Sequence, residues 1–291
     1  MFKLTETRFV CALIAAVTLG GCSPLGLYNA IIPYDDGSRL AERNLSFGDD
    51  PRQKLDVYLP EDQSDEPRPV IVFIYGGSWQ DGEKSRYSFA GRALAKLGAV
   101  VVVADYRLVP QVRFPGFLED NAAAIAWARS HAADYGGDPD RIFLAGHSAG
   151  AYNAVMVALD DRRLQAVGVP PDAIAGVIAI SGPYKFKAEE YRVTRAAFDG
   201  HFDDPNTQPL NFVDGSSPPM LILHGADDTT VYPKNSRALA SALEAAGVPH
   251  ELHIYPDIAH AGALLSISKP MRDRAPVYDR IRDFLDRPSR R

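Results

Sequence analysis

Two uninterrupted apolar runs, Pro69-Val-Ile-Val-Phe-Ile-Tyr75 and Ala99-Val-Val-Val-Val-Ala104, dominate the hydrophobic pattern of the chain. Runs of β-branched residues without polar alternation mark strands covered on both faces, as in a parallel sheet. Leu55-Asp-Val-Tyr-Leu59 alternates instead, which predicts an antiparallel edge strand and places the start of regular structure near Lys54. Helical spacing follows from Phe89 to Leu97 and from Leu118 to Tyr135. Further strands are expected at Ile142 to Ala145, Ala173 to Ser181, Pro219 to His224 and Glu251 to Tyr255, with helices at about 234–247 and 275–286. This alternation predicts an α/β fold: a mostly parallel, doubly wound sheet with helices on both faces and right-handed crossovers. The polar stretch from Tyr184 to Ser217 breaks the rhythm; its length suits a partial cap or a plain surface excursion.

Composition narrows the classes. With 291 residues, 46% of them hydrophobic, there is apolar material for one large domain. A formal charge of -6 without a basic stripe argues against a nucleic-acid partner. At the amino end, Lys3 and Arg8 precede the apolar run Phe9 to Leu19, which is too short for a permanent bilayer span and reads as an export signal. Its end, Leu19-Gly-Gly-Cys22-Ser23, resembles the lipobox of bacterial lipoproteins. That resemblance implies removal of residues 1–21 and lipidation of Cys22, so that the protein is held by a membrane anchor in the cell envelope, facing the periplasm, with Ser23 compatible with the outer membrane. Ordinary signal cleavage nearby is the alternative. Loss of Cys11 with the leader would leave no disulfide in the mature domain. Residues 22–45 then read as anchor and spacer, with an entry segment packing on the domain surface, and Arg287 to Arg291 as a solvated tail.

Candidate chemistry centres on Arg141-Ile-Phe-Leu-Ala-Gly-His-Ser-Ala-Gly150, a buried strand running through Gly146-x-Ser148-x-Gly150 into an apolar helix. A sharp strand-to-helix turn of this kind raises a serine hydroxyl above the sheet. Serine needs a base to take its proton, and the base needs a carboxylate to fix its tautomer. The loop after Pro219-Met-Leu-Ile-Leu-His-Gly225 supplies Asp227 and Asp228, between which position alone does not choose. His260 follows both serine and acid in a loop beyond Tyr255, whereas His147 and His224 suit structural roles in the turns that hold them. His250 and His253 point to opposite faces of a strand, and no cysteine or carboxylate cluster completes a metal site. Backbone N–H donors for a developing oxyanion are expected from Ala149 and from the glycine turn Tyr75-Gly-Gly-Ser-Trp79, in which Trp79 suits a pocket wall and the core equally.

Together with Asp105-Tyr-Arg-Leu108 and Gly137-Asp-Pro-Asp-Arg-Ile142, these motifs make residues 52–286 similar to the esterase/lipase branch of the α/β-hydrolase superfamily, near hormone-sensitive-lipase-like and BD-FAE carboxylesterases. The resemblance implies an α/β-hydrolase catalytic domain over 46–291 that acts on small-molecule esters of small or medium acyl chains, without cofactor or metal. Ser148 would be the nucleophile, His260 the base and Asp228 its partner, because His-Gly-x-x-Asp-x-x-Val resembles the acid loop of many serine hydrolases. Gly77, Ser78 and Ala149 would form the oxyanion hole. Tyr75 stands where several such enzymes carry histidine, which assigns it, with Trp79, to the substrate pocket. Amide, formamide or peptide hydrolysis by the same triad and a non-catalytic envelope binding role are the alternatives.

Overall fold

The computed structural model describes residues 24–287. Residues 1–23, where the export signal and the lipidated Cys22 are expected, and the last four residues of the arginine-rich tail lie outside the described residues. Eight strands, β1 (Ser38–Ser46), β2 (Lys54–Pro60), β3 (Arg68–Ile74), β4 (Val100–Ala104), β5 (Gly137–His147), β6 (Ile174–Ile180), β7 (Met220–Gly225) and β8 (His250–Tyr255), form one sheet in the order β1-β2-β4-β3-β5-β6-β7-β8. Pairing is parallel from β4 through β8, and antiparallel for β1 with β2 and for β2 with β4. The helices are α1 (Pro24–Ile31), α2 (Ser88–Ala95), α3 (Gly116–His131), α4 (Ala149–Leu159), α5 (Asp161–Gln165), α6 (Arg192–Ala197), α7 (Lys234–Ala245), α8 (Gly262–Leu265) and α9 (Val277–Leu285). The chain thus has the α/β-hydrolase architecture.

Every residue from Val70 to Ile74 is fully buried. Successive strand side chains point to opposite faces, so both faces of β3 are covered, and the same holds for β4. Burying a Val, Ile or Phe side chain contributes about 1.5–3 kcal/mol, more than β-propensity offers, so these strands are held chiefly by packing.

Regular structure begins well before Lys54. β2 is covered by β1 and is not an edge, and within 24–45 the chain packs on the domain as α1 and most of β1. The hydroxyl of Tyr28 lies 2.6 Å from Ser268 Oγ, Asn29 Nδ2 donates to the Ser85 carbonyl at 3.0 Å, and Asn29 Oδ1 accepts from the Phe89 N–H at 2.9 Å. β1 escapes the alternation rule because it is a true edge, exposed along much of its length, with register shifts between Leu40 and Glu42 and between Glu42 and Leu45.

Candidate active site

The register of the central strands brings the chemistry-bearing loops together. Ile74 pairs with Gly146, so the glycine turn after β3 leaves the sheet beside the turn after β5. Gly225 pairs with Tyr255, and the Ala226 N–H donates to the Tyr255 carbonyl at 2.7 Å, which joins the acid loop to the histidine loop.

At the end of β5, Ser148 has φ 56° and ψ -124°, outside the conformations ordinary for residues with a Cβ. Such strain costs about 1–3 kcal/mol and persists only where its surroundings enforce it. Here the Ser148 N–H donates to Ile180 O at 2.9 Å, while its carbonyl accepts from Ala151 and Tyr152 at the start of α4. The flanking glycines are required by contact: a Cβ on Gly146 would stand 2.3 Å from Gly150 O, and one on Gly150 2.1 Å from Ile74 O.

Ser148 Oγ is 2.9 Å from His260 Nε2, and His260 Nδ1 is 2.7 Å from Asp228 Oδ2. Because Nδ1 faces a carboxylate, it carries the proton, which leaves Nε2 free to accept from the serine hydroxyl. Asp228 is 1% exposed. Burial pushes its pKa up, but hydrogen bonds from His224, His260 and the Val231 N–H outweigh this and hold the carboxyl well below the usual range. Its Oδ1 also accepts from Thr230 N–H at 2.9 Å and Val231 N–H at 2.8 Å. Asp227 is exposed, and its N–H serves the loop junction by donating to Ile258 O at 3.0 Å. Of the two aspartates, the structure brings Asp228 to His260.

Two further histidines brace this row. His224 is fully buried, with Nε2 2.7 Å from Val231 O and 3.1 Å from Asp228 Oδ2, and Nδ1 2.6 Å from Ser236 Oγ. Since a carbonyl only accepts, Nε2 bears the proton. His147 places Nε2 3.1 Å from the His260 carbonyl. Burial, then the neighbouring His260, lower its pKa to about 3 from 6.5. Between those values an unfolded chain binds a proton that the folded chain refuses, so folding loses stability as pH falls from 6.5 towards 3. In a well-folded His147→Asn variant, denaturant midpoints measured from pH 4 to 7 are expected to fall less steeply with acid, by up to about one proton per molecule. An unchanged slope would contradict this account of His147.

The glycine turn holds three consecutive positive φ values, 133° at Gly77, 54° at Ser78 and 59° at Trp79. A Cβ on Gly77 would lie 1.9 Å from Asp81 O, within a tight turn closed by Gln80 and Asp81 N–H donating to Gly77 O. The turn touches the nucleophile: a Cβ built on Gly76 would stand 2.9 Å from Ser148 Cβ. Among the described residues, no protein acceptor takes the N–H of Gly77, Ser78 or Ala149.

Tyr75 is not part of the substrate pocket. It is fully buried beneath the turn, its ring stacked between Tyr106 at 4.8 Å and Tyr87 at 5.3 Å. Ile74 pairs with Ala104, so Tyr75 emerges next to Asp105, and its hydroxyl donates to Asp105 Oδ1 at 2.8 Å while accepting from Arg52. Burial and that carboxylate push the phenol well above its ordinary pKa, keeping it a donor. The Asp105-Tyr-Arg stretch is thereby explained: the Tyr106 hydroxyl donates to the Tyr75 carbonyl at 2.9 Å, and Arg107 pairs with Asp120 at 2.6 Å.

Trp79 does wall a cavity of about 150 Å³ that opens on Ser148. The 184–217 stretch supplies Phe186, Tyr191 and Val193 to the same cavity and so covers the site in part. Asn235, which no sequence signal marks, fastens that cover by accepting from Tyr184 N–H at 3.1 Å and Lys185 N–H at 2.9 Å. Among the described residues, no group of three or more His, Cys, Asp or Glu is placed to hold a metal ion.

A profile of the BD-FAE family matches residues 55–243. The isoprenylcysteine alpha-carbonyl methylesterase of Arabidopsis thaliana is 29% identical over 81% of this chain and 59% of its own length. Esterase LipQ of Mycobacterium tuberculosis is 32% identical over 87% of this chain and 61% of its own length. The chain therefore spans about three fifths of the length of these curated relatives. Esterase B from Lactobacillus rhamnosis has the same fold, with a TM-score of 0.76 at 20% identity, covering 97% of this chain and 95% of that one.

Proposed function

Since the chain belongs to the BD-FAE family of α/β-hydrolase-fold proteins, we propose that it is a serine carboxylesterase that cleaves esters of short acyl chains. The observation that carries this reading is the unbroken row Asp228, His260, Ser148, with contacts of 2.7 and 2.9 Å, set beside backbone donors that no protein group uses. Ser148 Oγ attacks the ester carbonyl while His260 Nε2 takes its proton, and Asp228 keeps His260 in the accepting tautomer and stabilises the imidazolium. The Gly77, Ser78 and Ala149 amides receive the charge that develops on the carbonyl oxygen. His260 then protonates the departing alcohol, and the same base activates the water that releases the acyl group from Ser148.

Cavity size sets the acyl preference. A space of about 150 Å³ walled by Trp79, Phe186 and Val193 suits an acetyl to butyryl group. Across p-nitrophenyl acetate to laurate, kcat/KM is expected to peak at two to four carbons and to fall by roughly tenfold or more by octanoate. A fluorophosphonate should label Ser148 stoichiometrically. Labelling without ester turnover, with formanilide cleaved instead, would move the assignment to amide chemistry; no labelling of folded protein would overturn it.

The lipobox supports a second part of the proposal, that the enzyme is anchored through an acylated Cys22 and works at the periplasmic side of the envelope. Mass spectrometry of the mature amino terminus should find a lipid-modified cysteine. An unmodified residue there would refute the anchor.

A further inference from the structure

The oxyanion donors lie just beyond the end of the β3–β5 ladder: Gly77 and Ser78 in the turn after β3, and Ala149 at the first position of α4. Three consecutive residues of that turn have positive φ, two of them with side chains, so its conformation is imposed from outside. The Tyr106 and Arg52 contacts hold its two ends, at Tyr75 and Gly82, and Gln80 Nε2 reaches the Val193 carbonyl of the cover at 3.1 Å. Among the described residues, a single side-chain hydrogen bond ties the turn to α4. Trp79 Nε1 donates to Asn153 Oδ1 at 2.9 Å.

Asn153 lies one helical turn beyond Ala149 and is fully buried. The orientation of its amide is fixed by chemistry, because indole nitrogen only donates and Oδ1 must face it. Its Nδ2 has no partner among the described residues. An apolar residue would avoid that uncompensated burial but would leave the buried Trp79 N–H without its acceptor, so the bond to Trp79 is what asparagine supplies here. Resting on the esterase reading above, we infer that Asn153 is a positioning residue for the oxyanion hole: by gripping Trp79, it sets the distance between the Ser78 and Ala149 N–H groups. Asn153 does not touch the substrate.

The test compares wild type with Asn153→Leu, Trp79→Phe and the double variant, with active sites counted by fluorophosphonate and assays run below all melting temperatures. Asn153→Leu should lower kcat about tenfold while KM moves by less than about twofold, the pattern of a contact that matters in the transition state. Its phosphonylation rate should fall in parallel, and the pH profile should keep its midpoint, since His260 is untouched. The double variant should be no slower than the worse single one, because both remove the same bond. Should Asn153→Leu fail to fold, Trp79→Phe, which removes the donor without orphaning an indole N–H, must show the same loss of phosphonylation rate. Unchanged kcat per titrated site, a change confined to KM, or additive losses in the double variant would each overturn the inference. A wild type that hydrolyses no ester but is phosphonylated counts against the esterase reading alone, and the labelling rates still decide the role of Asn153. Absence of labelling in wild type would overturn both.

Discussion

The Ser148→Ala variant keeps its fold and loses ester turnover by about 10⁴-fold or more, the scale seen when a serine nucleophile of a triad is removed. The substitution deletes one oxygen whose hydrogen-bond partner is His260 Nε2, leaving the backbone bonds of the turn intact. Alanine has the same Cβ and meets the same strain at φ 56°. Melting temperature should therefore stay within a few degrees while steady-state rates collapse. An active, well-folded alanine variant would remove the basis of the mechanism. The residual rate informs as well, because the backbone donors and His260 remain and can still act on a bound water.

Asp228→Asn is expected to produce the second largest effect, about a 10⁴-fold fall in kcat near neutral pH. The amide can donate to His260 Nδ1, which favours the tautomer with its proton on Nε2, where it can no longer accept from Ser148. The substitution also puts an NH₂ group near the proton-bearing Nε2 of His224, or an amide oxygen where the strongest acceptor in the loop had been. A loss of stability should accompany the loss of rate. Asp227→Asn, one residue away and solvent-facing, should retain activity within about twofold. Equal losses at both positions would show that the loop as a whole, rather than the carboxylate of Asp228, is what matters. Rates and denaturant midpoints for the two variants decide between these outcomes.

The buried strands were legible because β-branched runs such as Val100 to Val103 have few other stable homes. The elbow was legible because Gly146 and Gly150 leave a local trace of a close approach. Position alone did not separate Asp227 from Asp228; that choice depends on how the β7 and β8 loops lie across each other, which is set by non-local pairing. The place of Tyr75 is hidden for a related reason. Its neighbours in sequence form the site, but strand alternation turns its own side chain inward, towards Asp105 just past the end of β4. β1 and α1 left little periodic trace, the first because an edge strand is wetted on both faces, the second because its anchoring contacts fall on Ser85, Phe89 and Ser268, far away in the chain. Asn153 and Asn235 were silent: a buried asparagine is conspicuous only once its partners are known.

With Cys22 lipidated as proposed, the docking of α1 would bear on how the protein rides on a membrane. Its contacts reach the segments that follow the glycine turn and the His260 loop. Only Ser23 separates Pro24 from the cysteine proposed to carry lipid. Such an attachment would be a short stalk rather than a leash, leaving the domain little freedom to tumble and restricting its reach to esters at or near the bilayer surface.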